Sequence, residues 1–307
     1  MTQGTSDQSE REITITRLID APRELVFEAF TDAEHLAKWW GPEGFGVSAA
    51  ESDPRPGGAF KIVMRGPDGV EYPVDGVYRE VDPPTRLVTE EAALGDDGRK
   101  LVEAVTTVTF ADRDGKTEIT LHARGVALTP EAVWMLGGME AGWSQSLRCL
   151  EDVLTGSVDR QIVLMRMFEA PRELVFEAFT TRAQVEQWWG PDGFSVTTEQ
   201  MDVRPGGIWR FTMHGPDGTD YPNEITYDEI SPPELLVYTH SSSPEANDPS
   251  FRSTIALDDM MGSTIVTMKL VFDSTEARDL VVDKYNAIEG GNQTLGRLEV
   301  FLAGAKV

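Results

Sequence analysis

Ala21 to Thr31 reads APRELVFEAFT, and the same eleven residues recur without change 149 positions later, from Ala170 to Thr180. The correspondence continues at that offset. Trp39-Trp40-Gly41-Pro42 returns as Trp188-Trp189-Gly190-Pro191, Arg55-Pro56-Gly57-Gly58 as Arg204-Pro205-Gly206-Gly207, and Gly66-Pro67-Asp68-Gly69 as Gly215-Pro216-Asp217-Gly218. Tyr72-Pro73 pairs with Tyr221-Pro222 and Pro83-Pro84 with Pro232-Pro233. Toward the ends the offset slips by one, so that Leu147, Leu150, Glu151 and Leu154 align with Leu295, Leu298, Glu299 and Leu302. A period this long is a duplicated domain rather than a solenoid repeat.

The copies are expected over residues 10–156 and 157–307, after a disordered tail of residues 1–9. Their join falls at Thr155-Gly156-Ser157. So short a linker predicts close contact between the two domains, in imitation of the homodimer of a single-domain ancestor.

Each copy reads as one order of elements. A short alternating strand opens it, around Ile13 and Ile15 and again from Ile162 to Phe168. Pro22 and Pro171 then stand where a helix begins and a missing amide hydrogen is harmless. Leu25, Val26, Phe27, Ala29 and Phe30 give that short helix an apolar face, and a second short helix runs to Trp39-Trp40, where Gly-Pro stops it. From Phe45 to about Ala123 the periodicity becomes two, interrupted by Pro and Gly turns, which predicts six antiparallel strands. Thr129-Pro130-Glu131 then opens a single long helix to about Leu154, with Met139, Trp143, Leu147 and Leu150 on one side; its counterpart spans roughly Thr275 to Leu302. An antiparallel sheet with one apolar face needs cover, and the terminal helix is the element large enough to give it.

Composition narrows the function. The 307 residues are 40% hydrophobic and 26% charged, and the formal charge is -25. Such an acidic surface repels phosphate backbones and anionic lipid heads, so neither nucleic acid nor a membrane is an expected partner. No apolar run reaches the length of a bilayer span, and Met1 to Glu10 lacks the pattern of a secretory signal, so a cytoplasmic location is expected. The single cysteine, Cys149, excludes an intrachain disulfide and reads as a packed thiol. The four histidines, His35, His122, His214 and His240, share no metal-ligand spacing, and His122 alternates outward. No phosphate-binding loop and no nucleophile elbow occurs, and no cofactor is expected.

The order of elements and the motifs resemble the family named after the C-terminal domain of the activator of heat-shock protein 90 ATPase, within the START and polyketide-cyclase (SRPBCC) superfamily. The resemblance rests on Ala21-Pro22 through Phe30, Trp39-Trp40-Gly41-Pro42, Asp53 with Arg55-Pro56-Gly57-Gly58, Asp68-Gly69, Val81-Asp82-Pro83-Pro84 with Arg86-Leu87, and Gly142-Trp143 with Leu147 and Leu150. It implies an α+β helix-grip fold, twice, with a cavity between sheet and helix suited to a small apolar ligand. Cyclase or hydratase chemistry occurs in some branches of the superfamily. The eukaryotic co-chaperone carries a separate N-terminal domain for much of its chaperone contact, and nothing here corresponds to it, so a chaperone partner is not the expected one.

Within that frame the lining candidates are Phe60, Met64, Met139 and Trp143 in copy one and Trp209, Phe211, Met213 and Tyr227 in copy two, with Trp40 and Trp189 at the rim. A filled core is the plain alternative for all of them. Trp39 and Trp188 are expected to pack the short helix on the sheet. Asp53 with Arg55, and Asp202 with Arg204, read either as an acid-base or anion-orienting pair at the cavity mouth or as a pair that braces the Pro-Gly-Gly turn; the turn also explains the adjoining residues. The expected function is binding of a small apolar or aromatic molecule without catalysis. The rivals are a cyclase or isomerase using a carboxylate or tyrosine such as Asp53, Tyr78 or Tyr227, and a protein-interaction or ATPase-stimulating module. Copy two departs from copy one at Gly291 for Trp143, Val203 for Pro54 and Leu235 for Arg86, so the two cavities are expected to differ.

Overall fold

The computed structural model describes residues 9–242 and 249–304, and the N-terminal tail lies outside them but for Ser9. The chain divides into two compact units, Met1–Gly156 and Ser157–Val307. Copy one runs β1 (Glu10–Ile19), α1 (Arg23–Ala29), α2 (Ala33–Trp39), β2 (Gly46–Ser52), β3 (Ala59–Arg65), β4 (Glu71–Asp82), β5 (Arg86–Leu94), β6 (Lys100–Arg113), β7 (Lys116–Ala127), α3 (Val133–Gly137) and α4 (Met139–Thr155). Copy two repeats the order with β8 (Gln161–Phe168), α5 (Arg172–Thr180), α6 (Arg182–Trp188), β9 (Ser195–Met201), β10 (Ile208–His214), β11 (Asp220–Ser231), β12 (Leu235–Ser242), β13 (Phe251–Met260), β14 (Ser263–Phe272), α7 (Thr275–Tyr285) and α8 (Ala287–Gly304).

Each unit is one seven-stranded antiparallel sheet, in the order β1-β7-β6-β5-β4-β3-β2 and β8-β14-β13-β12-β11-β10-β9. Strict alternation decides which face is inner. On β7, Ile119, Leu121 and Ala123 are fully buried, whereas His122 between them turns out to pair with Glu12 at 2.6 Å. A bulge between Tyr78 and Glu80 of β4 recurs between Tyr227 and Glu229 of β11. Bulges bend and twist a strand, and here they help the sheet to curl toward the helix. Leu147 and Leu150 of α4 lie completely buried on the concave face, as do Leu295 and Leu298 of α8, each such burial stabilising by about 1.5–3 kcal/mol. This is a helix-grip α+β fold, present twice in tandem.

The terminal helix is not the single rod that its apolar periodicity predicts. In copy one α3 ends at Gly137 and α4 starts after Gly138. Two adjacent glycines carry the highest backbone entropy cost of ordering among ordinary helix residues, about 1 kcal/mol each relative to alanine, so the break falls there. In copy two the break is at Asn286, which adopts φ 49°, a left-handed conformation that asparagine tolerates.

The Pro-Gly-Gly turns are built the same way twice. Gly57 donates its N–H to the Tyr78 carbonyl and Tyr78 donates its own to the Gly58 carbonyl, and a Cβ on Gly58 would stand 2.0 Å from the Asp53 carbonyl oxygen. Gly207 meets the Asp202 carbonyl at the same 2.0 Å. Only glycine permits this approach.

Candidate functional site

The inner wall of copy one begins at the double tryptophan. Trp39 is buried and donates its indole N–H to the Ala29 carbonyl at 2.8 Å, so it anchors α2 on α1. Trp40, at the end of α2, is only half-buried. Its ring stands 5.3 Å from Trp143 of α4 and 6.1 Å from Phe60 of β3. Met64 and Met139 pack against the same cluster and, like Trp143, remain partly exposed. The structure thus brings Trp40, Phe60, Met64, Met139 and Trp143 together beneath the helix.

Copy two assembles the corresponding wall differently. Trp188 is anchored as Trp39 is, with its N–H on Ala178 at 3.1 Å. Trp189 stands 5.2 Å from Trp209, which stacks on Phe211 at 4.0 Å, and Met213 packs alongside. Where Trp143 stands in copy one, Gly291 leaves the space to Leu164, whose Cδ1 lies 2.1 Å from the position of a Cβ. Tyr227 is buried on the same inner face.

Polar groups punctuate both walls. Tyr78 shares a 2.8 Å hydrogen bond with Ser52, which donates in turn to the Thr31 carbonyl at 2.6 Å. Burial pushes the Tyr78 phenol up, and the Ser52 bond draws it part of the way back. In copy two Met201 takes the place of Ser52, and the Tyr227 hydroxyl has no hydrogen-bond partner among the described residues. Burial and the neighbouring Tyr238, its ring 6.5 Å away, raise the Tyr227 phenol well above its ordinary value. Tyr238 is itself pushed up to about 12 by burial.

Glu91 is the residue that motif reading misses. It lies on β5 at the inward parity of Leu87 and Thr89, and its two carboxyl oxygens are hydrogen-bonded by Thr89 of β5 and Thr106 of β6. Burial raises its pKa above the ordinary 4.5, and the two threonine hydroxyls oppose that rise without cancelling it. No cation is among the groups acting on it. Glutamate at an inward strand position was the available signal: alternation through Leu87, Thr89, Glu91 and Ala93 places it there. The corresponding residue of copy two is His240, which bonds Asn223 at 2.8 Å and stacks on Phe251 at 4.5 Å.

The two Asp-Arg pairs stand beside the Pro-Gly-Gly turns. Arg55 meets Asp53 at 2.9 Å with both side chains largely in solvent, and Arg204 meets Asp202 at 2.9 Å in the same manner. They brace the turn, and their exposure leaves their charge screened. Two hollows have charged side chains in their lining. One, of about 590 Å³ in copy two, includes Arg166 and Arg297, but Arg297 is committed to the carbonyls of Trp189, Gly190 and Pro191. The other, of about 1020 Å³, covers charged residues of copy one such as Lys61, Arg79 and Glu90. Among the described residues no helix is long and apolar enough to cross a membrane.

Two helix-grip units with aromatic inner walls define the class, and sequence comparison gives the family. The chain matches the family Activator of Hsp90 ATPase homolog 1-like protein twice, over residues 20–155 and 169–303, and belongs to it. Among solved structures it is similar to a protein from Arthrobacter aurescens, 22% identical with a TM-score of 0.45, over 48% of this chain and 87% of that one. A protein from Chromobacterium violaceum is 30% identical with a TM-score of 0.39, over 47% of this chain and 96% of that one. The di-domain ARO/CYC BexL from the BE-7585A biosynthetic pathway is 15% identical with a TM-score of 0.40 and aligns over 95% of this chain and 98% of its own. No curated protein matches the chain.

Proposed function

We propose that the chain binds a small apolar or aromatic molecule between sheet and terminal helix. The observation that carries this reading is the inner wall of copy one, where Trp40, Met64, Met139 and Trp143 face the interior and yet remain only partly buried. Side chains of this type in a finished core are normally enclosed, and partial exposure on an inner face is what an apolar pocket gives its lining. Two adaptable methionines beside rigid rings suit a planar guest. The test is equilibrium dialysis of the full chain against naphthalene, 2-naphthol and 1-tetralone. Binding of at least one compound, with Trp143→Ala altering its affinity, is expected; no binding of any of the three refutes the reading.

A second reading, a cyclase or isomerase type of enzyme, is favoured by one feature, the interior carboxyl of Glu91. A desolvated acid on an apolar wall is the kind of group that moves a proton, and burial raises its pKa, which favours the protonated form that a general acid needs. Turnover of a bound compound in the wild type that Glu91→Gln abolishes would select this reading over simple binding.

A further inference from the structure

Strand register lays two different floors under the two helices. In copy one the pairs Phe60↔Gly76, Gly76↔Glu91, Glu91↔Ala104 and Ala104↔Gly125 make one row across β3, β4, β5, β6 and β7. The Phe60 ring lies over Gly76, 2.2 Å from where a Cβ would stand, and Leu136 and Met139 lie over Gly125, 2.9 and 3.1 Å from where its Cβ would stand. Between these two walls the floor is Glu91 and Ala104, and both keep partial exposure although they point inward. At about 4.8 Å per strand the row from β4 to β7 spans roughly 14 Å, enough to admit an aromatic slab between the walls.

The same row in copy two is Trp209↔Ile225, Ile225↔His240, His240↔Phe251 and Phe251↔Phe272. Ile225, Phe251 and Phe272 stand where copy one has Gly76, Ala104 and Gly125. The rings fill the span themselves: His240 is 4.5 Å from Phe251, and Phe251 is 5.2 Å from Phe272. Where one copy has small residues in this row, the other has a ring stack.

We propose that ligand binding is confined to copy one, in the slot floored by Glu91 and Ala104, and that the ligand is an apolar molecule bearing a hydrogen-bond acceptor, such as an aromatic ketone, held by the Glu91 carboxyl. This rests on the cavity-binding reading above and adds the copy and the ligand class. A carboxyl with only two neutral threonine partners retains hydrogen-bonding capacity, and a guest atom in the slot is the partner within reach. In the neutral form, which burial favours, the carboxyl O–H is a donor, so the matching guest atom is an acceptor such as a carbonyl oxygen. A guest carboxylate would face desolvation with no cation to meet it. On the inner face beside Glu91 the titratable group of β4 is the buried Tyr78, and beyond Gly125 Arg11 of β1 is paired with Glu140 of α4 at 3.1 Å. Of the other charged groups nearby, Asp75 of β4 is exposed, Arg79 of β4 pairs with Glu90 of β5, and Lys100 and Glu103 of β6 pair with each other at 2.6 Å, all of these pairs being in solvent.

The test is equilibrium dialysis of the full chain with 1-tetralone and with tetralin, its hydrocarbon counterpart, from acidic to alkaline pH. The wild type is expected to prefer the ketone by roughly tenfold at low pH, the worth of about one buried hydrogen bond. That preference should fade as pH rises through the Glu91 titration. Glu91→Gln, neutral at every pH and still a donor, should keep the preference without the pH dependence. Ala104→Phe, which installs the copy-two residue, should weaken ketone binding by roughly tenfold or more. If Ala104→Phe does not fold, Glu91→Leu serves instead and should erase the preference. Ketone binding that survives Ala104→Phe, or equal binding of ketone and hydrocarbon by the wild type, overturns the assignment while the broader cavity reading stands. Failure of the wild type to bind either compound removes both.

Discussion

Phe251→Ala in copy two tests the filled-row argument from the opposite side. Phe251 sits between His240 and Phe272, with ring separations of 4.5 and 5.2 Å, the first nearly coplanar at 10°. Phenylalanine to alanine in a closed core costs about 3–5 kcal/mol, and each ring pair adds about 0.5–1.5 kcal/mol to simple burial. Phe251 is only half-buried, so the lower end, about 3 kcal/mol, is the expected loss. That is a factor on the order of 100 in the opening equilibrium. The full chain has two units, and a single unfolding midpoint does not resolve them. Hydrogen exchange read by peptide does. Amides of β13 and β14 should lose protection by about two orders of magnitude, and those of β6 and β7 should keep theirs. The vacated space should also admit 1-tetralone, giving copy two a site it lacks. Unchanged protection in β13 would refute the claim that the ring stack carries this part of the core.

Three further outcomes are expected. The folded-state pKa of Glu91 is raised, so its contribution to stability is fully present below 4.5 and is lost as pH rises through the folded value; urea melts at a series of pH values should show copy one weakening over that window, and Glu91→Gln should flatten the dependence. Ser52→Ala removes the partner of the Tyr78 hydroxyl and should destabilise copy one by about 1–2 kcal/mol by the same exchange measurement. Arg55→Ala and Arg204→Ala should each shift stability by less than about 1 kcal/mol and leave tetralone binding unchanged, and a large loss of binding from either would return the Asp-Arg pairs to the site.

The fold was legible in the sequence because its strongest signals are local. Eleven identical residues announce the duplication, and period-two segments separated by Gly and Pro turns give seven strands per unit in the expected order. The break in the terminal helix was less legible, since the apolar spacing of Met135, Met139 and Trp143 runs on through Gly137-Gly138 as though the helix were continuous. The aromatic wall could be named residue by residue, as inward parity on β3 and β10 follows from Phe60, Ile62 and Trp209, Phe211 alone. Glu91 could not be weighed in the same way. Its parity was visible, but its neighbours Gly76, Ala104 and Gly125 are brought beside it only by register, a long-range property that no single segment encodes.

The differences between the copies are coupled, which argues that they are repacking rather than drift. Gly291 in place of the helix ring would leave Trp189 facing a void, yet Trp189 still has two ring neighbours on the sheet, because Trp209 stands for Phe60 and Phe211 for Ile62. The ring removed from the helix is returned by the sheet, and Leu164 closes the remaining gap against Gly291. A similar exchange links the polar groups: Thr89, Glu91 and Thr106 in copy one become Tyr238, His240 and Ser253 in copy two, and the larger side chains arrive together with Phe251 and Phe272. Close packing makes such substitutions conditional on one another, since a lone enlargement strains and a lone reduction leaves a cavity. Copy two is therefore filled at these positions by a mutually compatible set of larger side chains, and the same positions in copy one hold Gly76, Ala104 and Gly125 around a carboxyl. Once ionised, a buried carboxyl with no cation beside it costs copy one stability, so its presence on an otherwise apolar wall is better accounted for by what it binds than by what it holds together.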